Sequence, residues 1–283
     1  MVGLFLLSIT MKITVFASVL CLLGFPILAQ HSLKKLWTSD ASLQVPESVL
    51  YDPKEKCLWV SCIDGKPTEK DGKGHIAQLR TDGRIIDREW VSGLNAPKGM
   101  ARFRNFLFVS DITDLVQIDI GERKIVKRIP VEGASFLNDV SAGEDGTIYV
   151  SDMETGKIHQ LKEDVVSVYL ENLKAPNGIL AAGNTLFILS SGSLLKYQAG
   201  ALLELAKGMD ASTDGLEMVR PGEFVVSSWT GLVYFVTDQG KVSQMLDTRK
   251  ANSQTADLGF DPSTNTVFVP TFFKNTVEAY QLK

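Results

Sequence analysis

The chain says nearly the same thing six times. The stretch "APNGILAAGNTLFILSS", which begins at Ala175, has five counterparts: "VPESVLYDPKEKCLWVSC" from Val45, "APKGMARFRNFLFVSD" from Ala96, "FLNDVSAGEDGTIYVSD" from Phe136, "STDGLEMVRPGEFVVSS" from Ser212 and "TADLGFDPSTNTVFVPT" from Thr255. Each opens on a small or turn-forming residue and a polar one. A short apolar run follows, then a turn of Gly, Asp, Asn or Pro, then a strand-like run such as "LFVSD" or "VFVPT". A third strand-like run usually comes next, for example "DLVQIDI" or "GLVYFV". Short β-branched runs between turn signals read as strands. Only "GALLELAKGM", residues 200 to 209, hints at a helical period. The polar heads Glu47, Lys98, Asn138, Asn177, Asp214 and Asp257 recur about every forty residues, the spacing of a propeller blade. The pattern therefore predicts an all-β, six-bladed β-propeller over residues 31–283. The run "SLKKLWTSD" precedes the first repeat, and we expect it to lend a strand to the last blade, closing the ring so that no sheet edge stays free.

In such a ring the first strand of each repeat runs along the central channel. The six heads then gather at one mouth, although they are far apart in sequence. Glycine follows three of them, at Gly99, Gly178 and Gly215, which we read as the residue that lets the backbone turn tightly into the strand. The ring reads Glu, Lys, Asn, Asn, Asp, Asp. Carboxylate and amide oxygens are what a hard cation takes, and calcium takes six to eight of them. Ordinary turn chemistry also explains Asn, Asp and Gly at strand starts, but it does not explain Glu47 or so many oxygens on one ring. No His or Cys stands in the ring, so a zinc centre of the usual nitrogen and sulfur type is disfavoured. His31, His75 and His159 fall outside it and read as surface residues.

Bulk properties narrow the classes. With 45% hydrophobic and 22% charged residues, the chain is ordinary for a globular protein. Its formal net charge of −4 offers no basic surface, so nucleic acid is not an expected partner. "MKITVFASVLCLLGFPILAQ", residues 11 to 30, has a lysine, an apolar core and the small Ala29 near its end, which is the layout of a secretory signal peptide. Residues 1–29 are thus expected to be removed, with Met11 as an alternative start and an uncleaved anchor as the competing reading. Export to a periplasmic or extracellular space follows, with no stable membrane association after cleavage. Cys57 and Cys62 remain. Five residues apart on one strand, they point to opposite faces, so a bridge between them is not expected.

The same residues resemble the SMP-30/gluconolactonase/luciferin-regenerating-enzyme-like family over essentially the whole chain after the leader. "PESVLYDPKEKCLWVS" is similar to the family's first motif, "LNDVSAGEDGTIYVSD" to its Asn-Asp segment, "PNGILAAGNTLFILSS" to its Asn-Gly motif and "TDGLEMVRPGEFVVSSWTGLVYFV" to its Asp-Gly motif, in family order. The resemblance implies a six-bladed propeller with one divalent metal ion in the channel, held by Glu47, Asn177 and Asp214. Calcium comes first, with magnesium, manganese or zinc as alternatives. It implies that Asp214 is also the catalytic base and that Asn138 lies near metal and substrate. The chain departs from the family where an arginine often precedes the Asn-Asp pair, because Phe136 and Leu137 stand there, and where Lys98 enters the ring. A metal is thus better supported than a sugar lactone substrate.

The expected activity is a secreted, metal-dependent lactonase that opens a small-molecule lactone or ester. Asp214 and Asn138 would be catalytic, and Asn138 with Lys98 would bind substrate. Lys98 reads equally well as a channel lysine paired with Glu47 or Asp257. Aryl ester or phosphotriester hydrolysis is another outcome of similar chemistry. "APKGMA" and "FLFVSD" also look like NHL-type propellers, so a metal-stabilised propeller that binds a protein or glycan without chemistry is the alternative.

Overall fold

A computed structural model describes residues 1–3 and 31–283. The expected signal segment lies outside the described residues, and the folded unit is His31–Lys283. It consists of six four-stranded antiparallel sheets, one per repeat. The fold is therefore a six-bladed β-propeller. The inner strands are Pro46–Asp52, Pro97–Phe103, Leu137–Ala142, Pro176–Ala182, Thr213–Arg220 and Gly259–Asp261. They neighbour one another around the channel. The circle closes where Val49 N donates to Asp257 O at 3.1 Å and Asp257 N donates to Glu47 O at 3.0 Å.

Burial falls outward along each blade. The second strands are almost wholly buried, as in Cys57–Cys62, while a fourth strand such as Lys124–Pro130 is mostly exposed. A strand covered on both faces reads as a continuous apolar run, which is why "CLWVSC" and "FLFVSD" lack alternation. The core lies between blades. Trp59, Ile76 and Trp90 of the first blade pack with Met100, Leu107 and Val116 of the second. The Trp59 and Trp90 rings lie 4.3 Å apart. Cys57 and Cys62 are buried and free within these layers.

The run after the leader closes the ring. Leu33–Thr38 pairs antiparallel with Val277–Leu282 as the outer strand of the last blade. Trp37 covers Phe268 at 5.9 Å, and His31 stacks on Phe235 at 3.6 Å. The helical hint at residues 200 to 209 is corrected. Ala201–Ala206 is a strand that pairs with Ser193–Gln198. So short a segment does not sustain a helix in water, and the neighbouring strand offers a complete ladder of backbone partners. Its misleading Leu202 and Leu203 are exposed on the outer edge.

Candidate functional site

Five polar heads owe their direction to a local irregularity. The inner strands lose register between Pro46 and Ser48, Pro97 and Met100, Leu137 and Val140, Pro176 and Ile179, and Thr213 and Leu216. Each break brackets one head: Glu47, Lys98, Asn138, Asn177 or Asp214. A bulge bends a strand and re-aims its side chains. Here all five side chains reach one cavity of about 490 Å³ at the channel mouth. The sixth head differs. Asp257 lines a second cavity of about 330 Å³ farther along the inner strands, with Ser48 and Asp139, and accepts a hydrogen bond from Ser48 Oγ at 2.5 Å.

The loops that lead into the heads are tied down by aspartates at the ends of the second strands. Asp111 accepts from Ala96 N at 2.8 Å and Asn95 N at 3.0 Å, just before Lys98. Asp152 accepts from Ser135 N and Phe136 N, both at 3.0 Å, just before Asn138. The glycines after the heads serve a different purpose from the one expected. Gly99, Gly178 and Gly215 do not adopt a left-handed backbone. A Cβ at Gly178 would collide with the Asp214 carbonyl oxygen, and one at Gly215 with the Leu258 nitrogen. They let adjacent inner strands approach one another.

The polar floor of the mouth cavity is incompletely satisfied. Glu47 Oε2, Asn138 Oδ1 and Asn177 Oδ1 are buried without a hydrogen-bond partner among the described residues. Asn177 Nδ2 donates to Asp214 Oδ1 at 3.0 Å, which turns the Asn177 oxygen away from the carboxylate. Burial pushes the Glu47 carboxyl well above the usual range, and the charges of Asp214 and Asp257 push the same way. Burial, then Asp257, raises Asp214 likewise. Ionised together, these two carboxylates would carry more negative charge than the nearby Lys98 offsets. Buried polar oxygens without partners are rare, and several in one place call for a proton or a cation. Among the described residues, no three His, Cys, Asp or Glu side chains form a metal cluster. The oxygen set here is mixed, carboxylate from Glu47 and Asp214 and amide from Asn138 and Asn177, and such a set suits a hard divalent cation.

Lys98 is not ion-paired with Glu47 or Asp257. Its Nζ donates to Ala96 O at 3.0 Å and Pro67 O at 3.1 Å and lies over the Phe136 ring, 4.6 Å from the centroid. The side chain is only 1% exposed, and burial pulls its pKa down against the field of Glu47. Phe136, which stands where an arginine was expected from the resemblance, is thus the shelf for this ammonium.

Several channel residues went unrecognised in the sequence. Asp139 is buried, its carboxyl raised by burial and by Asp257, and it accepts from Ile179 N at 2.7 Å. Glu217 is pushed up to about 8, by burial first and Asp257 second. The walls of the mouth include Ile63, Met153, Trp229 and Phe272, each at or just beyond the end of a second strand. That shared repeat position is the signal that could have found them. The histidines need correction too. His75 and His159 are buried rather than on the surface, because both sit on third strands covered by their neighbours. None of His31, His75 and His159 lines the mouth cavity.

No family model and no curated protein sequence matches the chain. Solved structures do. A streptogramin B lyase structure aligns with a TM-score of 0.66 at 12% identity, covering 89% of this chain and 98% of that one. A catalytically inactive histidine-to-alanine variant of virginiamycin B lyase from Staphylococcus aureus, with quinupristin, aligns with a TM-score of 0.64 at 13% identity, covering 90% of this chain and 100% of that one. At such identities the likeness is one of fold: this chain shares the propeller architecture of the streptogramin B lyases.

Proposed function

We propose that the chain is a divalent-metal-dependent hydrolase that opens a lactone or related ester in the mouth cavity. The observation that carries this reading is the group of unpartnered buried oxygens of Glu47, Asn138 and Asn177 beside the Asp214 carboxylate. Glu47, Asn177 and Asp214 would hold the cation. When bound there, a divalent cation supplies Lewis-acid polarisation of an ester carbonyl. The rest is the chain's own work. Asp214 is a buried carboxylate that lines the cavity, placed to act as the general base toward a water there. It takes a proton from the attacking water as the new C–O bond forms, and returns it to the ring oxygen as the old C–O bond breaks. Asn177 fixes the orientation of Asp214 through its amide. Asn138 presents an amide to substrate or water. Lys98 uses two of its three N–H donors on main-chain carbonyls, which leaves one for a substrate oxygen.

A lyase reaction, the activity named for the structural neighbours, is less well supported. Activity in that neighbour is lost with a histidine, and no described histidine of this chain reaches the mouth cavity. A pH-stat assay of the full chain on a lactone panel, in EDTA and with added calcium, magnesium, manganese or zinc, tests the proposal. Turnover that needs a divalent ion and falls by roughly a hundredfold or more in Asp214→Ala supports it. Metal-independent turnover, or full activity in Asp214→Ala, refutes it. A metal that raises the melting temperature without any turnover leaves a binding propeller.

A further inference from the structure

The mouth cavity has two chemically opposite halves. Its floor carries the polar groups described above. Its walls are Ile63, Phe136, Met153, Trp229, Phe272 and Phe273. The geometry points to a substrate with an apolar aryl or alkyl substituent on its lactone or ester, and away from a polyhydroxylated sugar lactone; this inference rests on the hydrolytic reading. Among the described residues, two hydroxyl side chains line the cavity, and each already holds a hydrogen bond. Ser212 Oγ donates to Asp210 Oδ1 at 2.6 Å, and Thr213 Oγ1 accepts from Gly192 N at 3.4 Å. A sugar lactone would place most of its ring hydroxyls against aromatic and aliphatic walls, where they would lose their water without gaining a partner. An apolar substituent loses nothing there, and its ester still meets the polar floor. The volume of about 490 Å³ suits a substituted ring, since small-molecule sites span about 300–1,000 Å³.

The aromatic lip is built rather than incidental. Trp229, Phe272 and Phe273 meet edge to face, with centroids 4.7 to 6.3 Å apart and planes 81° to 86° from parallel. Phe272 adopts a φ of 50°, which bulky residues rarely do. The strap that carries it is pinned at its base, where Thr271 N donates to Thr276 O at 2.9 Å and Thr271 Oγ1 donates to the same oxygen at 2.8 Å. This arrangement leaves Trp229 38% and Phe273 62% exposed at the mouth, the surface that an apolar substituent would cover.

The test uses the full chain with calcium. Opening of δ-valerolactone, δ-decalactone, dihydrocoumarin and glucono-δ-lactone is followed by pH-stat in the wild type, Trp229→Ala and Phe273→Ala. Binding of the matching lactams, which resist opening, is followed by calorimetry. We expect δ-decalactone and dihydrocoumarin to exceed δ-valerolactone in kcat/KM, with glucono-δ-lactone lowest. Each variant should lose roughly tenfold more on δ-decalactone than on δ-valerolactone. Glucono-δ-lactone equal to or better than δ-decalactone, or equal losses on every substrate, overturns the inference and leaves hydrolysis standing. Absent turnover, with the pentyl-substituted lactam bound more tightly than the unsubstituted one and that difference lost in Trp229→Ala, sinks hydrolysis and keeps the apolar ligand class. Absent turnover with no preference between lactams overturns both.

Discussion

Asp214 is asked to do two things that conflict in a bare protein. It must be ionised to bind a cation or take a proton, yet burial and Asp257 both oppose its charge. The same tension runs along the channel through Glu47, Asp139, Asp257 and Glu217. Glu217 gives the cleanest test, because it stands apart from the proposed metal ligands. Its folded pKa of about 8 lies above the ordinary 4.5, so the fold favours its protonated form. Its contribution is then complete below about pH 4.5 and is lost as pH rises through about 8. Asp257, pushed up to about 7, moves stability in the same sense. Metal-free protein should therefore lose stability in urea melts between about pH 4.5 and pH 8 and level off above that, and Glu217→Gln should flatten the loss. A variant with the wild-type slope would show that Glu217 is not protonated in the channel. The polar heads were legible because repetition put them in one register. Asp139 and Glu217 were not, since only the closed ring shows that their positions face inward.

At the scale of the strand, the site depends on bulges and on the aspartates that anchor the loops before them. Asp152 is held well below its ordinary range, against the cost of burial, by the nearby His159 ring, whose Nε2 lies 3.7 Å away, and by hydrogen bonds from the Thr155, Phe136 and Ser135 backbone. A depressed carboxyl stabilises above its unfolded value of 3.8, and the contribution is lost as pH falls through the lower folded value. Asp152→Ala leaves the Ser135 and Phe136 N–H groups without their acceptor, which should cost about 1–3 kcal/mol in denaturant titrations at neutral pH. The deficit should shrink in strong acid, where the wild-type carboxylate is itself protonated. An equal deficit at every pH would mean that the charge is irrelevant. The strands themselves were legible from turn residues and β-branched runs. The bulges were not, because no residue type marks them: Pro-Glu-Ser, Pro-Lys-Gly and Leu-Asn-Asp all carry one. The glycines were found for the wrong reason. Their constraint comes from the next blade, which local sequence does not reveal.

For the whole molecule, closure is what makes five separated residues into one site. Leu33–Thr38 joins the two ends of the folded unit in the last blade. Deleting residues 31–40 from the full chain removes the partly buried Leu33 and Trp37 side chains from that blade, each worth at most about 1.5–3 kcal/mol, the value for full burial. The melting temperature should drop sharply, and an unchanged value would mean that the ring holds without its clasp. Six blades and their closure were readable from the repeat, since sheet edges must be paired somewhere. The aromatic lip was not, because Trp229 and Phe273 come from different blades and meet only in the folded ring. The central claim, that the channel floor is a cation site, is tested most directly by calorimetric titration of calcium into the EDTA-stripped full chain, beside Glu47→Gln and Asn177→Ala. The account predicts one site per chain in the wild type, with affinity strongly reduced in both variants. Absence of binding by any divalent ion, or binding that both variants retain in full, would contradict it.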